Sequence, residues 1–224
     1  MHATAGQLDT VVVDVDGTLV DSVYEHAVAW GRAFHDVGLT VSSAAVHAAI
    51  GMDSEQLVAH VAGDRAEHAV GDRIRQIHAA EFEHLGARVR LLPGADRLIG
   101  DLKKRGLRVV IASSGSERDT ARALDHVPDA ALADAVVTGQ DVRKGKPATD
   151  LITASLTAVG GDRAAVIGDS PWDAIAGRAG GHFAIAVRSG GFCDSTLTEA
   201  GAQLVFDSLA DVLDHLDQIP LTGP

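Results

Sequence analysis

Two aspartates one residue apart, Asp14 and Asp16, follow the β-branched run Val11-Val12-Val13 and precede Gly17-Thr18. In a strand, side chains at i and i+2 lean to the same side. If extended geometry carries through Asp16, both carboxylates point to one place beyond the strand's carboxyl end, where open α/β sheets bind ligands. Such a pair has two readings. It can close a turn, because Asp-Gly is a frequent turn pair, or it can bind a cation and take part in acid, base or nucleophilic chemistry. A calcium loop does not fit, since that loop needs Gly at its sixth position and here Gly17 is fourth from Asp14.

Three further stretches put chemistry-bearing residues after apolar runs. Ser113-Ser114-Gly115-Ser116 follows Leu107 to Ala112, Lys146 lies in Gly145-Lys146-Pro147, and Gly168-Asp169-Ser170-Pro171-Trp172-Asp173 follows Ala164 to Ile167. Taken singly, each has a plain structural explanation: serines and aspartates cap helices, and lysines sit on surfaces. Their order at successive strand ends favours chemistry. Two acids, a hydroxyl followed by backbone amides, a lysine and two more acids can manage a phosphoryl group with magnesium. Mg2+ takes oxygen ligands, using one or two carboxylates plus substrate phosphate. A carboxylate can attack phosphorus, and the metal and lysine offset its repulsion from the phosphate. A second carboxylate can protonate the leaving oxygen and later accept a proton from water. Ser113 and the amides after it can hold phosphoryl oxygens.

The elements that would position these residues alternate. Strands are expected from Val11 up to the stop at Gly17 and over 107–112, 135–138, 164–167, 183–187 and 204–206. Between the later strands lie helices over 95–104, 117–125, 149–159 and 174–179, with a last one over 209–216. Alternating strands and helices predict a parallel, Rossmann-like sheet covered on both faces. Residues 21–89 break the pattern. Apolar residues at helical spacing (Val23, Ala27, Trp30, Phe34, Val37) predict a helix over 22–37 ended by Gly38. Ser42 or Ser43 starts a short helix, Asp53 or Ser54 caps another over 55–61, and a long one covers 65–84. No strand is expected here. The chain therefore divides into an α/β core of residues 1–20 and 91–224 and an all-helical insert of residues 21–90, placed over the candidate site.

Composition narrows the partners. Acids outnumber bases 31 to 19, a formal charge of −12, which argues against nucleic acid and against an anionic membrane surface. Cys193 is the only cysteine, so no internal disulfide and no Cys-rich zinc site can form. There is no Asn, hence no glycosylation sequon; residues 1–8 lack an apolar signal core; and no run reaches transmembrane length. A cytoplasmic location is expected, and nothing in the sequence bears on oligomeric state. Two motif-like stretches are set aside. The segment from Gly139 to Pro147 is one residue too long for a P-loop and has Pro147 in place of Ser or Thr. His78, Glu81, Glu83 and His84 match no zinc-helix spacing. Trp30 and Phe34, four residues apart, are expected to pack the insert.

The four stretches together resemble the haloacid dehalogenase-like hydrolase superfamily along nearly the whole chain. Its Asp-x-Asp-Gly-Thr motif corresponds to Asp14 to Thr18, its Ser/Thr motif to Ser113, its Lys motif to Lys146, and its Gly-Asp-Ser-x-x-Asp motif to Gly168 to Asp173. The insert resembles the family's type-one helical cap. The resemblance implies Asp14 as nucleophile and magnesium ligand. Asp16 would be general acid/base with its main-chain carbonyl on the metal, and Asp169 a third protein ligand. Asp173 would support the metal or orient Lys146, which stabilises phosphoryl charge. Gly17, Ser113 and Ser114 would bind the phosphoryl group. His26, Gly51, Met52 and Ser54 are the insert residues expected to face substrate.

Within the superfamily, Asp16 argues for phosphate chemistry, because the dehalogenases lack that aspartate. The absence of lysine from the insert argues against phosphonoacetaldehyde hydrolases. β-Phosphoglucomutases share the hinge histidine, matched by His26, but use a cap arginine where this chain has Ser54. The expectation is a Mg2+-dependent phosphatase acting on a small phosphorylated metabolite, phosphoglycolate- or sugar-phosphate-like, through an aspartyl-phosphate. A phosphosugar mutase, and a receiver-like or non-catalytic phosphoryl-binding module, are the alternatives.

Overall fold

The central strand, β1 (Thr10–Val13), is parallel to both its neighbours in the computed structural model, which describes residues 8–221. The N-terminal stretch read for a signal core lies, except for Leu8, outside the described residues. With β4 (Arg108–Ser113), β5 (Ala135–Thr138), β6 (Ala164–Gly168), β7 (Phe183–Val187) and β8 (Leu204–Phe206), it makes a six-stranded sheet in the order β5-β4-β1-β6-β7-β8. All five pairings are parallel.

Both faces are covered. Val11 and Val13 point to one side, where they join Leu98, Leu102, Leu209 and Val212 from α5 (Leu98–Lys104) and α10 (Leu209–Asp214). Val12 points to the other, with Leu151, Ile152 and Leu156 of α7 (Asp150–Val159). A strand buried on both faces reads as a continuous apolar run, not an alternating one, which is why Val11-Val12-Val13 marks the centre. Chain order reverses at β1: β4 and β5 lie on one side, β6 to β8 on the other. That switch point leaves a crevice at the strands' carboxyl ends.

Four helices occupy the expected insert: α1 (Val23–Asp36), α2 (Ser43–Ala49), α3 (Ser54–Ala62) and α4 (Asp64–Leu85). They bury their own core of Trp30, Phe34, Val46, Leu57, Val58 and Ile74. Ser42 caps α2 by accepting the Ala45 amide, and Asp53 caps α3 by accepting that of Glu55. Among the described residues, no helix is long and apolar enough to cross a membrane.

The structure departs from expectation in four places. A two-stranded antiparallel ribbon, β2 (Val20–Asp21) with β3 (Arg90–Leu91), ties together the points where the insert leaves and rejoins. Helix α5 starts at Leu98, because Gly94 at φ 91° holds a turn that runs through Arg97. Helix α8 (Pro171–Ala179) starts earlier than residue 174; Pro171 takes the first helical position, where its missing N–H costs nothing. Helix α9 (Asp194–Ala200) was not expected. It buries only Leu197, so it has no apolar period to read.

Candidate active site

Strand β1 ends at Val13, one residue before the first acid. The Asp14 amide still donates to the Ile167 carbonyl at 2.9 Å, and then the chain coils. Gly17 at φ 82° donates to the Val20 carbonyl and Leu19 to that of Val15. Extended geometry therefore does not carry through Asp16, and the two carboxylates diverge. Asp14 meets the Lys146 ammonium and accepts from Thr18 Oγ1 at 3.2 Å. Asp16 accepts from Ser22 Oγ at 2.7 Å and lies 3.2 Å from His26 Nε2. Both still reach the wall of one cavity.

The carboxylates that do converge are Asp14, Asp169 and Asp173, all buried, each with an oxygen within 4.8 Å of the others'. The side chain of Asp16 is outside this group, and Asp173, expected only in support, is inside it. Asp14 and Asp169 directly follow β1 and β6, the two strands at the switch point, and Asp173 lies in the first turn of the helix after β6. Thr18 Oγ1 lies between Asp14 and Asp169, 3.3 Å from the latter. A Cβ on Gly17 or Gly190 would collide with the Asp169 carboxylate, so those glycines make its slot. Asp173 accepts from Ser170 Oγ at 2.6 Å, capping α8, and its other oxygen stands 2.7 Å from Lys146 Nζ. Its two expected roles, cap and lysine holder, are thus combined in one side chain.

Three buried carboxylates face one buried ammonium. Burial pushes the Asp14 carboxyl up to about 7; Lys146 opposes the rise and Asp173 adds to it. Burial, then the charges of Asp14 and Asp173, holds Asp169 well above the usual carboxylate range. Lys146 shifts upward because Asp14 and Asp173 outweigh its burial. Asp16, only partly buried, shifts downward because His26 and Ser22 favour its ionised form against the effect of desolvation. An all-oxygen donor set with surplus negative charge fits a hard divalent cation such as Mg2+.

The cavity, about 280 Å³, lies between sheet and insert. Asp14, Asp16, Ser114, Gly115, Ser116 and Asp119 form its core wall. All four expected insert residues, His26, Gly51, Met52 and Ser54, line it. Ser113 and Lys146 lie behind this wall. The Ser113 hydroxyl accepts the Gly115 amide at 3.0 Å, so the exposed surface at that strand end is Ser114 to Ser116.

Trp30, Arg75, His78 and Asp119 also line the cavity and were missed. Two of them carried a signal. His26 and Trp30, and His78 and Phe82, are each one helical turn apart, which puts each pair on one helix face. The pairs interleave: Trp30 stacks on His78 at 3.9 Å, His26 on Phe82 at 3.7 Å, and His26 Nδ1 lies 3.1 Å from His78 Nε2. Phe34 packs the insert core as expected, whereas Trp30 does that and faces the cavity. The rejected zinc stretch is explained by ion pairs: Glu81 binds Arg32, and Glu83 binds Arg118 and Arg122.

The insert is seated on the core through polar contacts at the site's rim. Asp53 N–H donates to the Lys146 carbonyl at 3.1 Å, and the Asp53 carboxylate accepts the Gly145 amide at 3.0 Å. Ser114 Oγ donates to the Gly51 carbonyl, and Trp172 Nε1 to that of Ala48. Glu83 on α4 bridges to two arginines of α6 (Glu117–Leu124).

Residues 8–181 match the model of the haloacid dehalogenase-like hydrolases. The chain belongs to this family. Hexitol phosphatase A of Escherichia coli strain K12 is 31% identical over 183 residues, 79% of this chain and 81% of the relative. A phosphoglycolate phosphatase of Rhodospirillum rubrum is 32% identical over 222 residues, 92% of this chain and 90% of the relative. The crystal structure of a hydrolase from Pseudomonas syringae superposes with a TM-score of 0.87 at 31% identity, covering 95% of this chain and 99% of that one. Family membership, the strand order and the acids after β6 set aside the receiver-like reading.

Proposed function

We propose that this chain is a Mg2+-dependent phosphatase that hydrolyses a small phosphate monoester through an aspartyl-phosphate on Asp14. The observation that carries the reading is the buried Asp14–Lys146–Asp173–Asp169 cluster, which opens through Asp14 onto the cavity between sheet and insert. The names of the two relatives described above support phosphate esters as the substrates. Asp14, Asp169 and Asp173 would hold Mg2+, with the Asp16 main-chain carbonyl as a further oxygen; the ion would draw charge from the phosphoryl oxygens.

The Asp14 carboxylate attacks phosphorus and the ester P–O bond breaks. The leaving oxygen takes a proton from the Asp16–His26 pair, whose heavy atoms are 3.2 Å apart. Water then attacks the acyl phosphate, gives a proton back to Asp16, and releases inorganic phosphate and free Asp14. Lys146 stabilises phosphoryl charge from behind Asp14, held by Asp173. Gly17, Ser114 and the amides of Gly115 and Ser116 receive the phosphoryl oxygens, while Ser113 fixes the turn that presents those amides.

Residues 21–90 act as a cap over a core of residues 1–20 and 91–224, excluding bulk water during phosphoryl transfer. The test is phosphate release from a metabolite panel, with Mg2+ or with a chelator. Release that depends on Mg2+ and falls at least about 10⁴-fold in Asp14→Asn is expected, as for removal of a nucleophile. No release from any ester, or full activity in Asp14→Asn, overturns the reading.

A further inference from the structure

The cap end of the cavity carries no unmatched positive charge. Trp30, Ile50, Met52 and Leu57 give it an apolar wall, and Ser54 adds a hydroxyl. Arg75 is the only arginine or lysine among its lining residues, and its guanidinium is already spoken for. Nη1 donates to Glu67 Oε2 at 2.8 Å, while Nη2 is 2.8 Å from both Glu67 Oε1 and Asp72 Oδ1. Two carboxylates therefore answer one cation. Glu67, Gly71 and Arg75 succeed one another at four-residue steps along α4. Glu67 can lie flat against the helix because Gly71 has no Cβ, which would collide with the Glu67 carboxylate.

The other sources of positive potential are also occupied. Asp53's own carboxylate accepts the Glu55 amide at the N-terminus of α3. His26 is engaged by Asp16. Burial, and then His26, holds His78 well below its ordinary pKa, so it is neutral. Asp119 adds a further acid to the wall. An anionic group entering this end would lose its hydration without gaining a counter-charge.

We infer that the group esterified to the phosphate is neutral and hydroxyl-bearing, a polyol or sugar, and that esters carrying a second anion, carboxylate or phosphate, are poor substrates. The inference rests on the phosphatase reading and selects within it. Trp30 offers an aromatic face to the C–H surface of such a chain or ring, and Asp119, Ser54 and Ser116 offer partners for its hydroxyls. The same wall disfavours isomerisation. Moving a phosphoryl group between two hydroxyls of one sugar passes through a bisphosphate, whose second phosphate would have to sit at this end.

The experiment compares initial rates of phosphate release from sorbitol 6-phosphate, glucose 6-phosphate, phosphoglycolate, fructose 1,6-bisphosphate and p-nitrophenyl phosphate. The best neutral ester is expected to exceed phosphoglycolate and the bisphosphate by roughly 100-fold in kcat/KM, the scale of an uncompensated charge contact. In the double variant Glu67→Gln with Asp72→Asn, Arg75 is freed. Phosphoglycolate hydrolysis should then rise about tenfold, one unit of 1.4 kcal/mol, while neutral esters keep the wild-type rate and so verify that the variant is folded. Phosphoglycolate or bisphosphate turnover equal to the best neutral ester in wild type overturns the inference, as does a folded double variant with an unchanged ratio. Failure to cleave any ester, p-nitrophenyl phosphate included, overturns the phosphatase reading itself and is a distinct outcome.

Discussion

At the sheet end of the cavity, three carboxylates and a lysine are packed into the protein interior, each held by partners from another segment. Lys146 lies between Asp14 and Asp173, and Asp169 is lodged between Thr18 and the backbone of Gly17 and Gly190. At the cap end the wall is largely apolar, its one guanidinium is neutralised, and the residues come from α1, α3, α4 and the connection between α2 and α3, which share a core of their own. The sheet end is over-determined, and the cap end hangs on a separate hydrophobic cluster. Exchange at the cap end can change what is bound without touching the groups that react. The two ends are covalently joined only through the chain around β2 and β3.

Three perturbations sharpen this contrast, in falling order of effect. Asp16→Ala should slow turnover of an alkyl phosphate by about 10²–10⁴-fold, the usual worth of a positioned acid. It should slow p-nitrophenyl phosphate far less, because that leaving group needs no proton. Equal losses on the two substrates would remove Asp16 from the acid role.

Phe34→Ala opens the cap's core, where Phe34 is fully buried, and should cost that unit roughly 3–5 kcal/mol. Hydrogen exchange should speed up in α1 and α4 while β1, β4 and β6 keep their protection. Uniform loss of protection would mean that the two units do not separate.

The smallest effect is thermal. A buried acid whose pKa is raised stays protonated in the folded state after the unfolded chain has ionised. The contribution of Asp14 to stability therefore falls as pH climbs from about 4 to about 7, and Asp169 acts in the same direction. His78, depressed by burial, opposes this below its ordinary 6.5, so the total slope is mixed. The increment that Mg2+ adds isolates the carboxylates. Mg2+ should raise Tm by more at pH 8 than at pH 5, and Asp14→Asn should flatten that difference. An increment independent of pH would place the cation elsewhere.

The core half of the site was legible because its acids and serines directly follow short β-branched runs bounded by turn residues, and Lys146 joined them by its order in the chain. Val11 to Val13, Leu107 to Ala112 and Ala164 to Ile167 are followed by Asp, Ser and Gly, and a parallel sheet brings such ends to one edge. The sequence could not show that β1 stops at Val13. The chain coiling after Val13 instead of staying extended through Asp16 turns Asp16 from the carboxylate cluster toward His26 and leaves the third place to Asp173. The cap half was half legible. Its period separates inside from outside, but a helix facing a second unit has two insides. His78 stands one helical turn from Phe82 and could be placed on a shared face, whereas Arg75, a charged residue on α4, is marked by no spacing rule. Asp119, in the first turn of α6, looks like any acid near a helix start.

One glycine in α4 has a consequence beyond its place in the packing. Gly71 sits mid-helix at a cost of about 1 kcal/mol relative to alanine, and the atom it would meet belongs to the mobile end of a glutamate. Adding a methyl group there should therefore firm the helix while dislodging Glu67 from Arg75. Asp72 still pairs with the guanidinium at 2.8 Å, so such a change loosens Arg75 without freeing it. One position in α4 thus couples the helix's own stability to the pairing of the cation that faces the cavity.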